Sequence, residues 1–61
     1  MTLHRDKRTG DYYTTDKKYM IEKGTIGWNA CIKGEYGYEY DFSADTLKEI
    51  RESLKWRYAQ M

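Results

Sequence analysis

Residues 28–58, WNACIKGEYGYEYDFSADTLKEIRESLKWRY, decide the fold. They read as strand, turn, strand and then one amphipathic helix that closes over the sheet. The helix has the clearest signal. Leu47, Ile50, Leu54, Tyr58 and Met61 recur at helical spacing and form one apolar stripe. Lys48, Glu49, Arg51, Glu52 and Lys55 fall elsewhere. Asp45 is the expected N-cap, with Ser43 as the competitor, because a carboxylate there accepts from free backbone N–H groups at the positive end of the helix dipole. Trp56 is the odd residue. At roughly 100° per residue it lies about 180° from Leu47 and about 160° from Leu54. It is therefore either an outward anchor or a cover for a sheet edge at Tyr12 or Tyr13.

Outward from this stretch, residues 28–33 read as a central strand. Trp28, Ala30 and Ile32 share one face, and Asn29, Cys31 and Lys33 the other. Gly34, Glu35, Tyr36 and Gly37 make a hairpin turn. In residues 38–42 strict alternation predicts Tyr38, Tyr40 and Phe42 inward, with Glu39 and Asp41 outward. Residues 18–23 form the preceding strand, with Tyr19 and Ile21 inward and Met20 and Glu22 outward. Gly24, Thr25, Ile26 and Gly27 connect it to the next, and their glycines permit positive φ. Residues 12–15 can start a further short strand, followed by a turn at Asp16 and Lys17. Residues 1–11 are polar and read as a loose arm carrying Arg5, Lys7 and Arg8. The expected fold is thus α+β: a three-stranded antiparallel meander packed by one C-terminal helix, in a single domain over residues 12–61.

Size and composition narrow the function. A chain of 61 residues buries a small core and is marginal alone. One cysteine excludes an internal disulfide, and one cysteine with one histidine disfavours a protein-only zinc site. Aromatic packing and association with a partner remain, and seven Tyr and two Trp suit both. A net charge of +1 is too low for a general nucleic-acid binder and too high for an acidic mimic of DNA. No apolar run reaches the ~18 residues of a membrane span. With a free thiol and no export signal, the expected location is the cytoplasm.

Catalytic groupings are poor. His4 lies in the arm with nothing to hold it against Cys31. Glu39 and Asp41 can share a strand face for acid–base work or a divalent ion, but neighbouring lysines favour a salt-bridged surface. No glycine loop cradles phosphate. No enzyme activity and no cofactor is expected.

Three resemblances arise. Gly27-Trp28-Asn29-Ala30-Cys31-Ile32, then Phe42 and Asp45-Thr46-Leu47-Lys48-Glu49-Ile50, resemble a pattern in small orphan proteins of phages and prophages, over about residues 18–54. That likeness implies a cytoplasmic accessory or host-takeover protein without enzymatic activity. The same strands and helix opening are similar to the start of HicB-type antitoxins, which have a partial ribonuclease-H-like fold. The strand–strand–strand–helix order is similar to the arm-binding domains of mobile-element integrases.

The leading expectation is a non-enzymatic interaction protein, acting as a homodimer or on a host protein. Its contact surface would be Trp56 with Met20 and Tyr36. The alternative is a sheet that reads DNA, touching it through Arg5, Arg8, Lys17 and Lys33.

Overall fold

The computed structural model describes residues 2–60. Five strands, β1 (Leu3–Arg5), β2 (Tyr12–Thr14), β3 (Tyr19–Lys23), β4 (Trp28–Gly34) and β5 (Gly37–Ala44), precede one helix, α1 (Leu47–Ala59). All neighbours pair antiparallel in the order β1-β2-β3-β4-β5. The α+β class and the C-terminal helix agree with the sequence. The strand count does not: the expected three become five.

The two added strands come from the segment read as an arm and from residues 12–15. Leu3 pairs with Thr14, His4 with Tyr13 and Arg5 with Tyr12. Short polar side chains close this hairpin. Asp6 Oδ1 accepts from the Arg8 N–H at 2.9 Å, Thr9 Oγ1 from the Asp11 N–H at 3.2 Å, and Gly10 turns at φ 83°. Residues that looked solvated in the sequence are turn-formers, which satisfy backbone groups locally. Leu3 then joins the packed face.

That face is the core. Tyr19, Ile21, Ala30, Ile50 and Leu54 are buried, and Tyr12, Trp28, Ile32, Phe42, Ala44 and Tyr58 pack around them. Edge-to-face ring contacts fill the rim: Tyr12 on Trp28 at 5.8 Å and Tyr19 on Phe42 at 6.4 Å between centroids. The helical stripe behaves as its spacing predicts, with Ile50 and Leu54 on the sheet. Met61, its last expected member, lies outside the described residues.

The helix starts later than expected. Ser43 and Ala44 still pair with Asn29 and Trp28 in the sheet, so neither Ser43 nor Asp45 caps α1. Thr46 does. Its Oγ1 accepts from the Glu49 N–H at 3.2 Å and its hydroxyl donates to Glu49 Oε1 at 3.1 Å. This is one arm of a capping box, with the Glu49 carboxylate taking the Thr46 hydroxyl in place of its backbone N–H.

The largest correction lies in β5. Lys33 pairs with Tyr38 and Cys31 with Tyr40, yet Ala30 pairs with Phe42. One extra residue, Asp41, is therefore bulged out. A single inserted residue reverses the facing of everything beyond it. Phe42 stays inward as expected, but Tyr38 and Tyr40 turn to the opposite face. Asp41 leans to the helix side, where its Oδ2 accepts from the Tyr19 hydroxyl at 3.2 Å and from Arg57 Nη1 at 3.3 Å. Arg57 also lies over the Phe42 ring, 4.3 Å from its centroid. The bulge is thus pinned to the last turns of α1.

The β2–β3 turn is held by Asp16. Its carboxylate accepts from the Lys18 N–H, the Thr14 hydroxyl and the Tyr58 hydroxyl. These bonds, the Lys18 amide first, hold its pKa below the usual aspartate value, against a smaller effect of burial. A carboxyl depressed on folding stabilises above its unfolded pKa, and that contribution is lost as pH falls through the folded one. Asp16→Asn is expected to lower Tm at neutral pH by an amount that shrinks on acidification below about pH 4. Parallel melting curves from pH 7 to pH 2 test this. A gap that stays constant would show that Asp16 acts through geometry alone.

Candidate functional site

The side of the sheet away from α1 is the candidate site. Cross-strand pairing places its residues in rows. The middle row runs His4, Tyr13, Met20, Cys31, Tyr40, each paired with the next. One end carries Lys33 beside Tyr38. The other carries Glu22, Asn29 and Ser43. Glu39 and Asp41, expected here, are absent from it, because the bulge moves them off. Tyr13, Tyr38 and Tyr40 stand on this face together.

These tyrosines form a layer. The Tyr13 and Tyr38 rings meet edge-on at 6.0 Å. The Tyr38 hydroxyl donates to the Lys17 carbonyl at 2.6 Å. Lys17 is held at φ 63°, a conformation unusual for a side-chain-bearing residue, and its Nζ lies 5.2 Å from the Tyr13 ring centroid. Tyr40 is two-thirds exposed. Under this layer Cys31 is almost fully buried.

The residues expected to bind a partner are not brought together. Met20 lies in the middle row. Tyr36 sits at the tip of the β4–β5 hairpin, 94% exposed. Trp56 lies on the outer side of α1, 66% exposed, in a shallow groove with Glu52, Ser53 and Arg57. It does not cover a sheet edge: Tyr12 packs on Trp28, and Tyr13 on Tyr38 and Lys17. Among the residues expected to contact DNA, Lys17 and Lys33 converge at one end of the open face. Arg5 lines a depression with His4, Asp6, Tyr13 and Lys17. Arg8 stays in the β1–β2 turn.

Chemistry is sparse on this surface. His4 Nε2 is hydrogen-bonded to Thr15 Oγ1 at 3.0 Å, and its strand is separated from that of Cys31 by β2 and β3. Burial, then the fields of Glu22, Asp11 and Asp41, pushes the Cys31 thiol up, so it keeps its proton at neutral pH and is a poor nucleophile. Asp41 is engaged by Tyr19 and Arg57, so it makes no carboxylate pair with Glu39. The described residues contain no group of three or more His, Cys, Asp or Glu side chains placed to hold a metal ion. No described helix is long and apolar enough to cross a membrane. What the face can do is bind: flat rings, a soft thioether and a charged rim form an interface composition.

Tyr38 and Tyr40 are missed by alternation counted back from Phe42, and Tyr13 lies on a strand too short for its facing to be read. A signal for the first two exists in the sequence. Gly34 pairs with Gly37 across a two-residue loop. Counting outward from that loop sets Tyr38 opposite Lys33 and Tyr40 opposite Cys31. The same count would set Phe42 opposite Asn29, on the wrong face. Only a one-residue bulge reconciles the two.

No protein-family model matches the chain, and no curated protein or solved structure was found to be similar to it.

Proposed function

We propose that the protein is a small non-enzymatic interaction protein that binds another protein through the open face of its sheet. One observation carries this reading: the bulge at Asp41 turns Tyr38 and Tyr40 onto the face that already holds Tyr13, Met20 and Cys31. Tyrosine and methionine are enriched at the centres of protein interfaces, and a charged rim is their usual border. The likeness of the last two strands and the helix opening to phage and prophage orphan proteins supports an accessory role in the cytoplasm. Trp56 would be a separate and smaller contact.

A second reading has its own support. The bulge also removes two carboxylates from this face and leaves Lys17 and Lys33 beside Tyr13 and Tyr38. Stacking rings next to lysines suit single-stranded nucleic acid. Against it, Glu22 remains on the other end of the same face.

A photo-crosslinking residue at position 40, compared with one at position 56, separates these readings in cells producing the full chain. A protein adduct from position 40 is the expected result. A nucleic-acid adduct there would transfer the function to the second reading. Adducts from position 56 alone would move the contact surface to α1 and end the open-face reading.

A further inference from the structure

We propose that the open sheet face is self-complementary and closes on a second copy of this chain, face to face, about a two-fold axis that crosses the strands along the Met20–Cys31 row. The inference rests on the open-face reading and adds the identity and orientation of the partner.

The face is polarised along its strands. Lys17 and Lys33 stand at one end, around Tyr13 and Tyr38. Glu22 stands at the other, beside Asn29. Asp11 precedes β2 on the Glu22 side, and both carboxylates act on the Cys31 thiol between the ends. Residues two apart on a strand are about 6.6 Å apart, so the ends lie roughly 13 Å from each other. That exceeds a Debye length of about 8 Å, so each end meets a partner as a separate charge.

A two-fold axis along the strands would set lysine on lysine. An axis across the strands reverses the partner's ends. It sets Lys17 and Lys33 near the second copy's Asp11 and Glu22, and the symmetry repeats the match at the far end. The middle rows then meet, with Tyr13, Met20 and Tyr40 of each copy forming the dry centre. Stacked sheets pack about 10 Å apart with strands some 30° from parallel, which this axis allows.

Size agrees. The molecule is a slab of 29 × 26 × 19 Å, one helix and one sheet thick, and the open face is one of its two broad sides. A face of that extent matches the roughly 800 Å² per partner of a standard interface. The edge of β5 is a weaker route to a dimer. It carries Glu39 and the bulged Asp41, and bulges with charges deter strand addition. A polyanion fits less well than a second copy, because half of the face would repel it.

The test uses two charge-reversed chains, Lys17→Glu/Lys33→Glu and Asp11→Lys/Glu22→Lys, each checked for folding by circular dichroism. Sedimentation equilibrium gives the mass across a dilution series. Wild type is expected to dimerise, each variant alone to bind itself at least about tenfold more weakly, and an equimolar mixture to recover the wild-type affinity as a heterodimer. The same reversal on the outer side of α1, Lys48→Glu/Arg51→Glu mixed with Glu49→Lys/Glu52→Lys, should neither weaken nor rescue association. A monomeric wild type, a dimer indifferent to the reversals, or weakening without rescue on mixing would each overturn the inference. The open-face reading survives any of these if position 40 crosslinks to a different protein, and falls with the inference if it crosslinks to nucleic acid.

Discussion

Gly27→Ala is expected to remove a large share of the stability of the fold. Gly27 enters β4 at φ 76°. A Cβ built on it would lie 2.4 Å from the Ala44 carbonyl oxygen and 3.0 Å from Asp45 Cα. Both are backbone atoms at the junction of β5 and α1, so no side chain can swing aside. The left-handed conformation costs a side-chain-bearing residue about 1–2 kcal/mol, and overpacking typically adds 1–3, for a loss of about 2–5 kcal/mol. Gly37 is the internal control. It has φ 124°, but a Cβ there meets nothing within 4 Å. Gly37→Ala should therefore carry the conformational cost without the clash. Urea midpoints of the two variants test this. Equal losses would show that the close approach of β4 to the β5–α1 junction is not what demands glycine at position 27.

Leu54→Ala has a comparable effect by another route. Leu54 is fully buried and, with Ile50, is one of the two helix residues wholly inside the core. Truncating a buried leucine removes its transfer free energy and leaves a cavity, for about 2–5 kcal/mol. A domain of 61 residues has about 3–9 kcal/mol in all at ordinary per-residue stabilities. The variant should thus show a broad, early melt and faster amide exchange throughout the sheet, not in α1 alone. Exchange confined to the helix would show that the sheet holds without its cover. If the chain dimerises, both variants should gain Tm with protein concentration.

These effects fall on elements that were legible in the sequence. The spacing of Leu47, Ile50, Leu54 and Tyr58 identifies the helix and its buried side. The alternation in residues 18–23 and 28–33 identifies two strands and their facing. The failures have physical causes. Leu3 is the lone apolar member of a three-residue strand, too short for any period to register. The cap is misplaced because Asp45 and Thr46 are both good caps, and pairing of Ala44 with Trp28 decides between them. The candidate site is lost to one residue. Tyr38, Glu39, Tyr40, Asp41 and Phe42 alternate so regularly that they suggest a flat strand. Yet the hairpin loop and the apolar demand for Phe42 set registers that differ by one. Asp41 absorbs the difference because Tyr19 and Arg57 supply it with partners on the helix side. Composition alone cannot reveal that, since the three residues lie far apart in the chain.

The strand order has a consequence for how the chain comes into being. Every strand pairs with its neighbour in sequence, so each hairpin closes a short loop, and low contact order favours fast folding. Synthesis delivers the strands in that same order, with α1 last. The inner side of the sheet, with Tyr19, Ile21 and Trp28, is therefore bare until Ile50 and Leu54 leave the ribosome. Nascent hairpins form early, but cooperative folding waits for α1. A ribosome stalled before α1 holds a ribbon with two sticky sides, a natural substrate for chaperones.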